Sequence, residues 1–202
     1  MKLGRKVSAK EVKRAFVVAH EMKHKPGANP KLGSITNAEF EKRLREAKKK
    51  VAALPEAKLD AIIKWKPRVI AYDVAEWHLG TVTTGEVGVW KRAGEMPLAW
   101  TNGSLKETAR AVAKNLAGTK KLARVRARSA IPGILETKTI LAQREKYLFP
   151  IIFKSGTGTR GRRGLKRKLK GDIDDGCMRS IALAIHGAKT LKAYIGVPKK
   201  LS

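Results

Sequence analysis

Cysteine, acidic side chains and long apolar runs are all scarce in this chain of 202 residues. Its single Cys cannot form an internal disulfide, and no stretch approaches the roughly 20 apolar residues that cross a membrane. The start of the chain, MKLGRKVSAKEV, lacks the apolar core of a signal peptide. These absences exclude disulfide scaffolds and argue against a membrane partner. We expect a protein of a reducing intracellular compartment, in the cytoplasm or on the nucleoid.

Lysine and arginine far outnumber the acidic residues. The chain has 45 Lys and Arg against 17 Asp and Glu, which gives a net charge of +28. An excess of this size destabilises a compact state by self-repulsion unless polyanions or counterions screen it. The chain is also 43% hydrophobic, which is too apolar for a disordered basic tail. We therefore expect a folded protein whose partner is a nucleic acid, DNA in the first place, with RNA left open.

This charge is unevenly distributed along the chain. Residues 51–100 hold six basic and six acidic side chains, whereas residues 151–202 hold 13 and three. The neutral stretch also contains all four tryptophans, which are Trp65, Trp77, Trp90 and Trp100. Burial in a core is the usual role of such rings, and stacking on nucleobases is the alternative. We expect a packed module between basic elements.

Three capping boxes mark helix starts. In each box, a Ser or Thr and a Glu three residues later accept hydrogen bonds from each other's backbone N–H. The three boxes are Ser8–Glu11, Thr36–Glu39 and Ser104–Glu107. We expect the first helix to reach about His24 and the second about Leu54, with Pro55 opening a further helix.

Two regions have the composition of strands. β-branched and aromatic residues broken by glycine predict strands at Val69–Val74 and Thr81–Trp90. Apolar strands are also expected at Leu148–Phe153 and Thr190–Ile195, with a short helix between them that ends near His186. This order predicts an α+β fold with three parts: a helical basic region over 1–66, a small Trp-bearing sheet plus helix over 67–122, and an α/β domain over 123–202.

The stretch Asp172–Ala182 has the pattern of an anion-binding corner. An acidic turn, Gly176 and a helix start place free backbone N–H groups beside Arg179. A cation in the first turn opposes the helix dipole, and this local conflict suggests a bound anion. The alternative is that Asp175 caps the helix and pairs with Arg179.

This corner resembles the signature of the ParB/sulfiredoxin superfamily. Members carry a turn of the D-G-x-x-R type, a helix with small residues, a glycine and a closing strand. The matching residues here are Asp175, Gly176, Arg179, Ala182, Gly187 and the strand around Lys192–Ile195. Leu148–Phe153 is similar to the family's strand before the loop. The resemblance covers residues 130–197 and implies a ParB/sulfiredoxin-like α/β domain.

The resemblance also implies a chemistry for the corner. Gly176 and Arg179, with Ser180 beside them, are expected to bind the phosphate of a nucleotide or of DNA. Cys177 stands where sulfiredoxins keep their catalytic cysteine, although Met178 replaces the histidine that follows it there. A ParB-like nuclease is the implied enzyme, and a nucleotide-dependent enzyme using ATP, ADP or CTP is an alternative.

Three aspartates lie close to this corner. Asp172, Asp174 and Asp175 are the only acidic residues after position 150 and, with Cys177, are the catalytic candidates. Carboxylates beside a phosphate site can hold Mg²⁺, which polarises a phosphodiester and activates water. Asp172 and Asp174 are the expected ligands. Helix capping and charge balance are the alternative role.

Two basic segments are expected to contact nucleic acid. Alternating arginines would project from one face of a strand, or would protect a sheet edge, at Arg124, Arg126 and Arg128. A glycine-interrupted loop carries seven cations, which are Arg160, Arg162, Arg163, Lys166, Arg167, Lys168 and Lys170. Neutralising about six phosphates would make binding strongly dependent on salt.

The first predicted helix contains the sequence H-E-x-x-H. His20 and His24 lie one turn apart with Glu21 between them, which is the zinc-peptidase arrangement. Completion of a buried helix face is the alternative, and no third ligand has a diagnostic spacing. Zinc and a metallopeptidase are therefore the least favoured hypothesis.

These observations predict a nucleic-acid-binding protein with a phosphate site, and a metal-dependent DNA nuclease if it is an enzyme. A non-catalytic packaging or architectural protein needs only the charge and is the main alternative. Mg²⁺ and a nucleotide are the candidate cofactors.

Overall fold

The computed structural model describes residues 1–22, 37–116, 144–154 and 169–198. In these ranges the chain forms seven α-helices and six β-strands, joined in places by short 3-10 turns. The helices are α1 (Ala9–Glu21), α2 (Asn37–Ala52), α3 (Glu56–Ile63), α4 (Lys66–Val74), α5 (Leu98–Thr101), α6 (Leu105–Leu116) and α7 (Cys177–Ile185). The strands are β1 (Lys2–Val7), β2 (Ala75–Thr83), β3 (Val87–Val89), β4 (Ile151–Lys154), β5 (Gly171–Asp175) and β6 (Thr190–Pro198).

All six strands belong to one mixed sheet with the order β1-β2-β6-β4-β5-β3. The pairs β1–β2, β2–β6 and β4–β5 are antiparallel, whereas β4–β6 and β3–β5 are parallel. The expected mixture of helix and sheet is therefore confirmed. The sheet draws β1 from residues 1–66, β2 and β3 from 67–122, and the other three strands from 123–202, so these segments share one sheet.

Both faces of the central strands are covered, because the successive residues Ile151, Ile152 and Phe153 of β4 are all buried. Successive residues of a strand point to opposite faces. Asp174 of β5 contacts Arg68 and Tyr72 of α4, whereas the next residue, Asp175, contacts Arg179 of α7. Helices α4 and α7 are therefore both joined to the end of β5.

An aromatic cluster forms the core on the α4 side. The Trp77 ring lies 5.4 Å from the Tyr72 ring and 5.2 Å from the Phe153 ring, measured between centroids. Gly196 makes room for them, since a Cβ there would lie 2.9 Å from Trp77 Cη2 and 3.0 Å from Phe153 Cδ1. A side chain at position 196 would displace both rings.

A buried lysine joins three helices. Lys13 of α1 is 1% exposed, and its Nζ lies 3.0 Å from Glu56 Oε1, 2.7 Å from Asp60 Oδ1 and 2.7 Å from Asp73 Oδ1. Burial opposes the charge on Lys13, but hydrogen bonds to the three carboxylates outweigh it and raise the pKa of Lys13. The lysine therefore remains charged and links α1 to α3 and α4.

Glu86 brings the two edges of the sheet together. Its carboxylate pairs with the amino group of Met1, next to edge strand β1, and with Lys170 Nζ at 3.3 Å. Glu86 itself immediately precedes the opposite edge strand, β3. Burial disfavours its charge, but these cations and the Thr83 N–H outweigh that effect and lower the pKa of Glu86. The sheet is curled enough for its ends to meet.

The predicted helix starts agree with the structure where they can be compared. Ser8 caps α1 by accepting from the Glu11 N–H (3.1 Å), although the Glu11 carboxylate binds Arg5 instead of completing the box. At α6 the box is complete, with the Ser104 N–H donating to Glu107 Oε2 and the Glu107 N–H donating to Ser104 Oγ. Thr36 lies outside the described residues.

One strand prediction is wrong and a second is only partly right. The segment Val69–Val74 is part of helix α4, whose first turn contains Pro67 and whose buried residues Ala71 and Tyr72 are adjacent in a helical stripe. Packing of that stripe outweighs the β-propensity of Val69, which is only partly buried, and of the exposed Ile70 and Val74. The segment Thr81–Trp90 is split by a turn into the end of β2 and the separate strand β3. The pattern also gave no indication of β1.

In the part of the chain that the structure describes, every helix is too short or too polar to cross a membrane.

Candidate functional site

The corner between β5 and α7 requires a glycine. Gly176 is the N-cap of α7 with φ +86°, a left-handed conformation that favours glycine. A Cβ at this position would lie 3.0 Å from Arg179 Nη2 and 3.1 Å from the Pro150 Cα. The turn is therefore closed around the arginine.

Arg179 is bound within the protein. Its Nη2 donates to Asp175 Oδ2 at 3.1 Å, and its Nε donates to the Leu148 carbonyl at 3.1 Å. The pairing of Asp175 with Arg179 is confirmed, but Asp175 is not the helix cap, because Gly176 takes that position without a side-chain hydrogen bond. The guanidinium thus ties α7 to the segment that precedes β4.

Asp174 is the centre of a buried polar network. Arg68 donates to it from Nε (2.7 Å to Oδ2) and Nη2 (3.2 Å to Oδ1), and the Tyr72 hydroxyl donates to Oδ2 at 2.8 Å. Burial and the neighbouring carboxylate raise the pKa of Tyr72 well above its usual value, so the phenol stays a donor. Both carboxylate oxygens of Asp174 already accept hydrogen bonds from the protein.

The other two residues expected at the corner are buried. The Cys177 thiol is 7% exposed and donates to the Ile173 carbonyl at 3.5 Å. Ser180 is fully buried, and its hydroxyl has no hydrogen-bond partner among the described residues. Neither side chain is presented to a phosphate in solvent.

The three aspartates do not converge. Asp174 is bound by Arg68 of α4 and Asp175 by Arg179 of α7, so these two carboxylates are held by different helices. Among the described residues, no group of three or more His, Cys, Asp or Glu side chains is close enough to hold a metal ion. Asp172 is partly exposed, but Asp174, its expected partner for Mg²⁺, is bound by Arg68.

The H-E-x-x-H sequence is only partly described. His20 is an exposed residue of α1 and stacks on Phe16 with ring centroids 6.1 Å apart, so the idea that it completes a buried face is wrong. The Glu21 carboxylate pairs with Lys50 Nζ at 2.9 Å. His24 lies outside the described residues.

Most of the predicted nucleic-acid contacts also lie outside the described residues. This applies to nine arginines and lysines, which are Arg124, Arg126, Arg128, Arg160, Arg162, Arg163, Lys166, Arg167 and Lys168. Lys170 is described, is exposed and pairs with Glu86. The basic segment joins β4 to β5, which are neighbouring antiparallel strands, so its two ends meet where Lys154 pairs with Gly171.

Helix α6 carries a cationic row that the sequence predictions missed. Lys106, Arg110 and Lys114 are exposed, and none of them forms an ion pair with a described residue. The opposite side of the helix is buried through Leu105, Thr108 and Val112. The i, i+4, i+8 spacing was the available signal for this row.

Most acidic side chains in the described ranges already take part in ion pairs, and three of them share Lys13. They pair with lysine or arginine throughout the fold, at Glu11, Glu21, Glu39, Glu56, Asp60, Asp73, Glu76, Glu86, Glu145, Asp174 and Asp175. Few carboxylates are left to balance cations such as the α6 row. The protein surface is therefore left with an excess of positive charge.

The four tryptophans have different environments. Trp77 is 1% exposed in the core, and Trp90 and Trp100 pack against the core while partly buried. Trp65, between α3 and α4, is 36% exposed. The expected burial is therefore confirmed for Trp77, while Trp65 departs most from it.

Comparison of the chain with protein-family models, with curated proteins and with solved structures finds no match.

Proposed function

We propose that this protein binds nucleic acid through the phosphate backbone and acts as a non-catalytic packaging or architectural protein. The observation that carries the proposal is the cationic row of α6, formed by Lys106, Arg110 and Lys114, on a fold whose carboxylates are mostly paired internally. Cations that form no ion pair with a described residue are available to displace counterions from phosphates.

The geometry of α6 suits such a role. Residues four apart in an α-helix are separated by about 6 Å along its axis and about 40° around it, so the three cations form a slanted row on one side of the helix. The buried opposite side fixes the helix on the fold, which leaves only the side chains to reorganise on binding. Phosphate contacts of this kind position a protein without reading sequence.

Binding without cleavage is the better-supported activity. A metal-dependent nuclease would use Asp172 and Asp174, but Asp174 accepts hydrogen bonds from Arg68 and Tyr72. A phosphate at the corner would have to compete with Asp175 and the Leu148 carbonyl for Arg179. These interactions favour a structural role for the corner, which leaves the surface cations to bind the nucleic acid.

The proposal is tested by measuring affinity for duplex DNA and for RNA as a function of salt. Replacing Lys106, Arg110 and Lys114 with Gln removes three phosphate contacts, and should lower the slope of log affinity against log salt by about 2.7 for DNA. Gel analysis of the same samples with and without Mg²⁺ should show intact nucleic acid.

The matched control is a triple variant that removes three cations held in exposed ion pairs. Lys6→Gln, Lys50→Gln and Lys146→Gln change the net charge equally, but their Nζ atoms face Glu76, Glu21 and Glu11. Its slope should stay close to that of the parent. Absence of binding by the parent at low salt, equal slopes in the two triple variants, or Mg²⁺-dependent cleavage would each contradict the proposal.

A further inference from the structure

We infer that Trp65 is a stacking surface for an unpaired nucleobase, so that the preferred partner is single-stranded nucleic acid. This inference rests on the proposed function and adds a contact to the base that backbone binding does not supply. It depends on the exposure of the ring, on the groups that hold it and on the charges beside it.

Trp65 is the exception among the tryptophans. Trp77, Trp90 and Trp100 belong to the core or pack against it, whereas Trp65 is 36% exposed and lies outside that cluster. Exposing a ring of this size to water is unfavourable. An indole that is partly exposed and held in a fixed place can stack on a ligand without a large change in the fold.

Arg68 packs over the indole ring of Trp65 and holds it in place. Its guanidinium carbon lies 5.3 Å from the centre of the Trp65 ring and 4.8 Å from the centre of the Phe16 ring. The same guanidinium is held by Asp174 through two hydrogen bonds. The Trp65 ring is thus supported by a buried ion pair, and little conformational freedom is lost when a base stacks on it.

The backbone beside Trp65 is strained. Lys64 has φ +62° and ψ −39°, and the Trp65 N–H donates to the Ile63 carbonyl at 2.7 Å. This is close to a classic γ-turn, an unfavourable conformation for a residue with a side chain. The turn separates the buried Ile63 from the exposed Trp65. Strain of this kind is retained where it places a functional group.

Two lysines flank Trp65 along the chain. Lys64 and Lys66 are both exposed, and neither forms an ion pair with a described residue. An aromatic ring between lysines matches the chemistry of a nucleotide in a single strand, whose base stacks while its neighbouring phosphates meet the cations. In a duplex the faces of the bases are covered by their neighbours, so only an unpaired base offers its face.

The test compares three ligands of equal length: oligodeoxythymidylate, the same backbone with abasic sites, and a duplex. Fluorescence anisotropy of labelled ligand gives the affinity of the parent, Trp65→Leu and Trp65→Phe proteins. Trp65→Leu should weaken thymidylate binding roughly 5- to 150-fold while leaving abasic and duplex binding unchanged. Trp65→Phe should recover part of the loss. Ile70→Ala is the control, because Ile70 is 51% exposed on the adjacent helix but has no proposed contact.

The outcomes separate the two proposals. If the parent binds none of the three ligands at low salt, the proposed function fails. If the parent binds all three equally, or Trp65→Leu retains full affinity for thymidylate, only the stacking inference is overturned. Quenching of parent Trp fluorescence by phosphatidylglycerol vesicles, without quenching by thymidylate, would also overturn it. Far-UV circular dichroism and the melting temperature show whether Trp65→Leu is folded, and Trp65→Phe keeps the test decisive if it is not.

Discussion

Lys13 is one of 45 lysines and arginines, and the composition alone does not distinguish it from the others. In the structure, however, three helices depend on it. It is buried, and three carboxylates from α3 and α4 surround its Nζ. A lysine on the apolar face of α1 reads as an interruption of the pattern. Its partners lie 43 to 60 residues away along the chain, so no local signal indicates that it will be paired.

Replacing Lys13 with Met should destabilise the protein by roughly 3 kcal/mol, because it leaves three neighbouring carboxylates without their shared cation. The measurement is urea unfolding followed by circular dichroism. Lys58→Met, an exposed position on α3, should change the free energy of unfolding by less than about 0.5 kcal/mol. Similar losses in the two variants would show that Lys13 does not hold the helices together.

Asp174 shows which part of the site depends on contacts that the sequence does not reveal. The residue was expected to face a metal or a phosphate because it lies beside a basic segment. Its actual partner, Arg68, is 106 residues earlier in a helix that the sequence presented as a strand. Whether a carboxylate near many cations binds a ligand or one of those cations depends on tertiary contacts.

At the scale of elements, the strongest local signals predicted the structure best. The helix starts at Ser8 and Ser104 depend on hydrogen bonds between a side chain and a nearby backbone N–H. The turns on either side of α7 depend on glycines with positive φ. Both kinds of signal act within a few residues. By contrast, α4 and β1 depend on packing against distant parts of the chain. The order of strands in the sheet depends on such contacts throughout.

Helix α7 offers a matched pair of glycines for testing the corner. Gly176 before the helix and Gly187 after it have φ +86° and +88°, but only Gly176 has neighbours within 4 Å of an added Cβ. Gly187→Ala should therefore cost only the left-handed conformation, about 1–2 kcal/mol. Gly176→Ala should cost more, because the methyl also crowds Arg179 and Pro150.

The difference between the two free energies of unfolding, measured by urea titration, isolates the effect of that crowding. Equal losses would indicate that Arg179 and Pro150 move aside freely, and that the corner is looser than its distances imply.

At the scale of the whole molecule, the charge of +28 should make salt act in two opposite directions. Screening of self-repulsion stabilises the fold, whereas competition with counterions weakens phosphate binding. Raising NaCl from low to moderate concentration should increase the melting temperature of the free protein and reduce the extra stabilisation given by bound oligonucleotide. Differential scanning fluorimetry on the two samples measures both effects. A melting temperature of free protein that falls with salt would mean that attractive ion pairs outweigh the repulsion.

The two edge strands of the sheet affect how copies of the protein behave when many of them bind one nucleic acid. In free solution, like charge keeps copies of the protein apart, but a nucleic acid that neutralises the charge removes that protection while raising the local concentration. Edge strand β1 has a register shift between Leu3 and Lys6, and β3 at the other edge has only three residues. Irregular and short edges are poor templates for another strand. Copies assembled side by side on one strand of nucleic acid should therefore remain separate folded units.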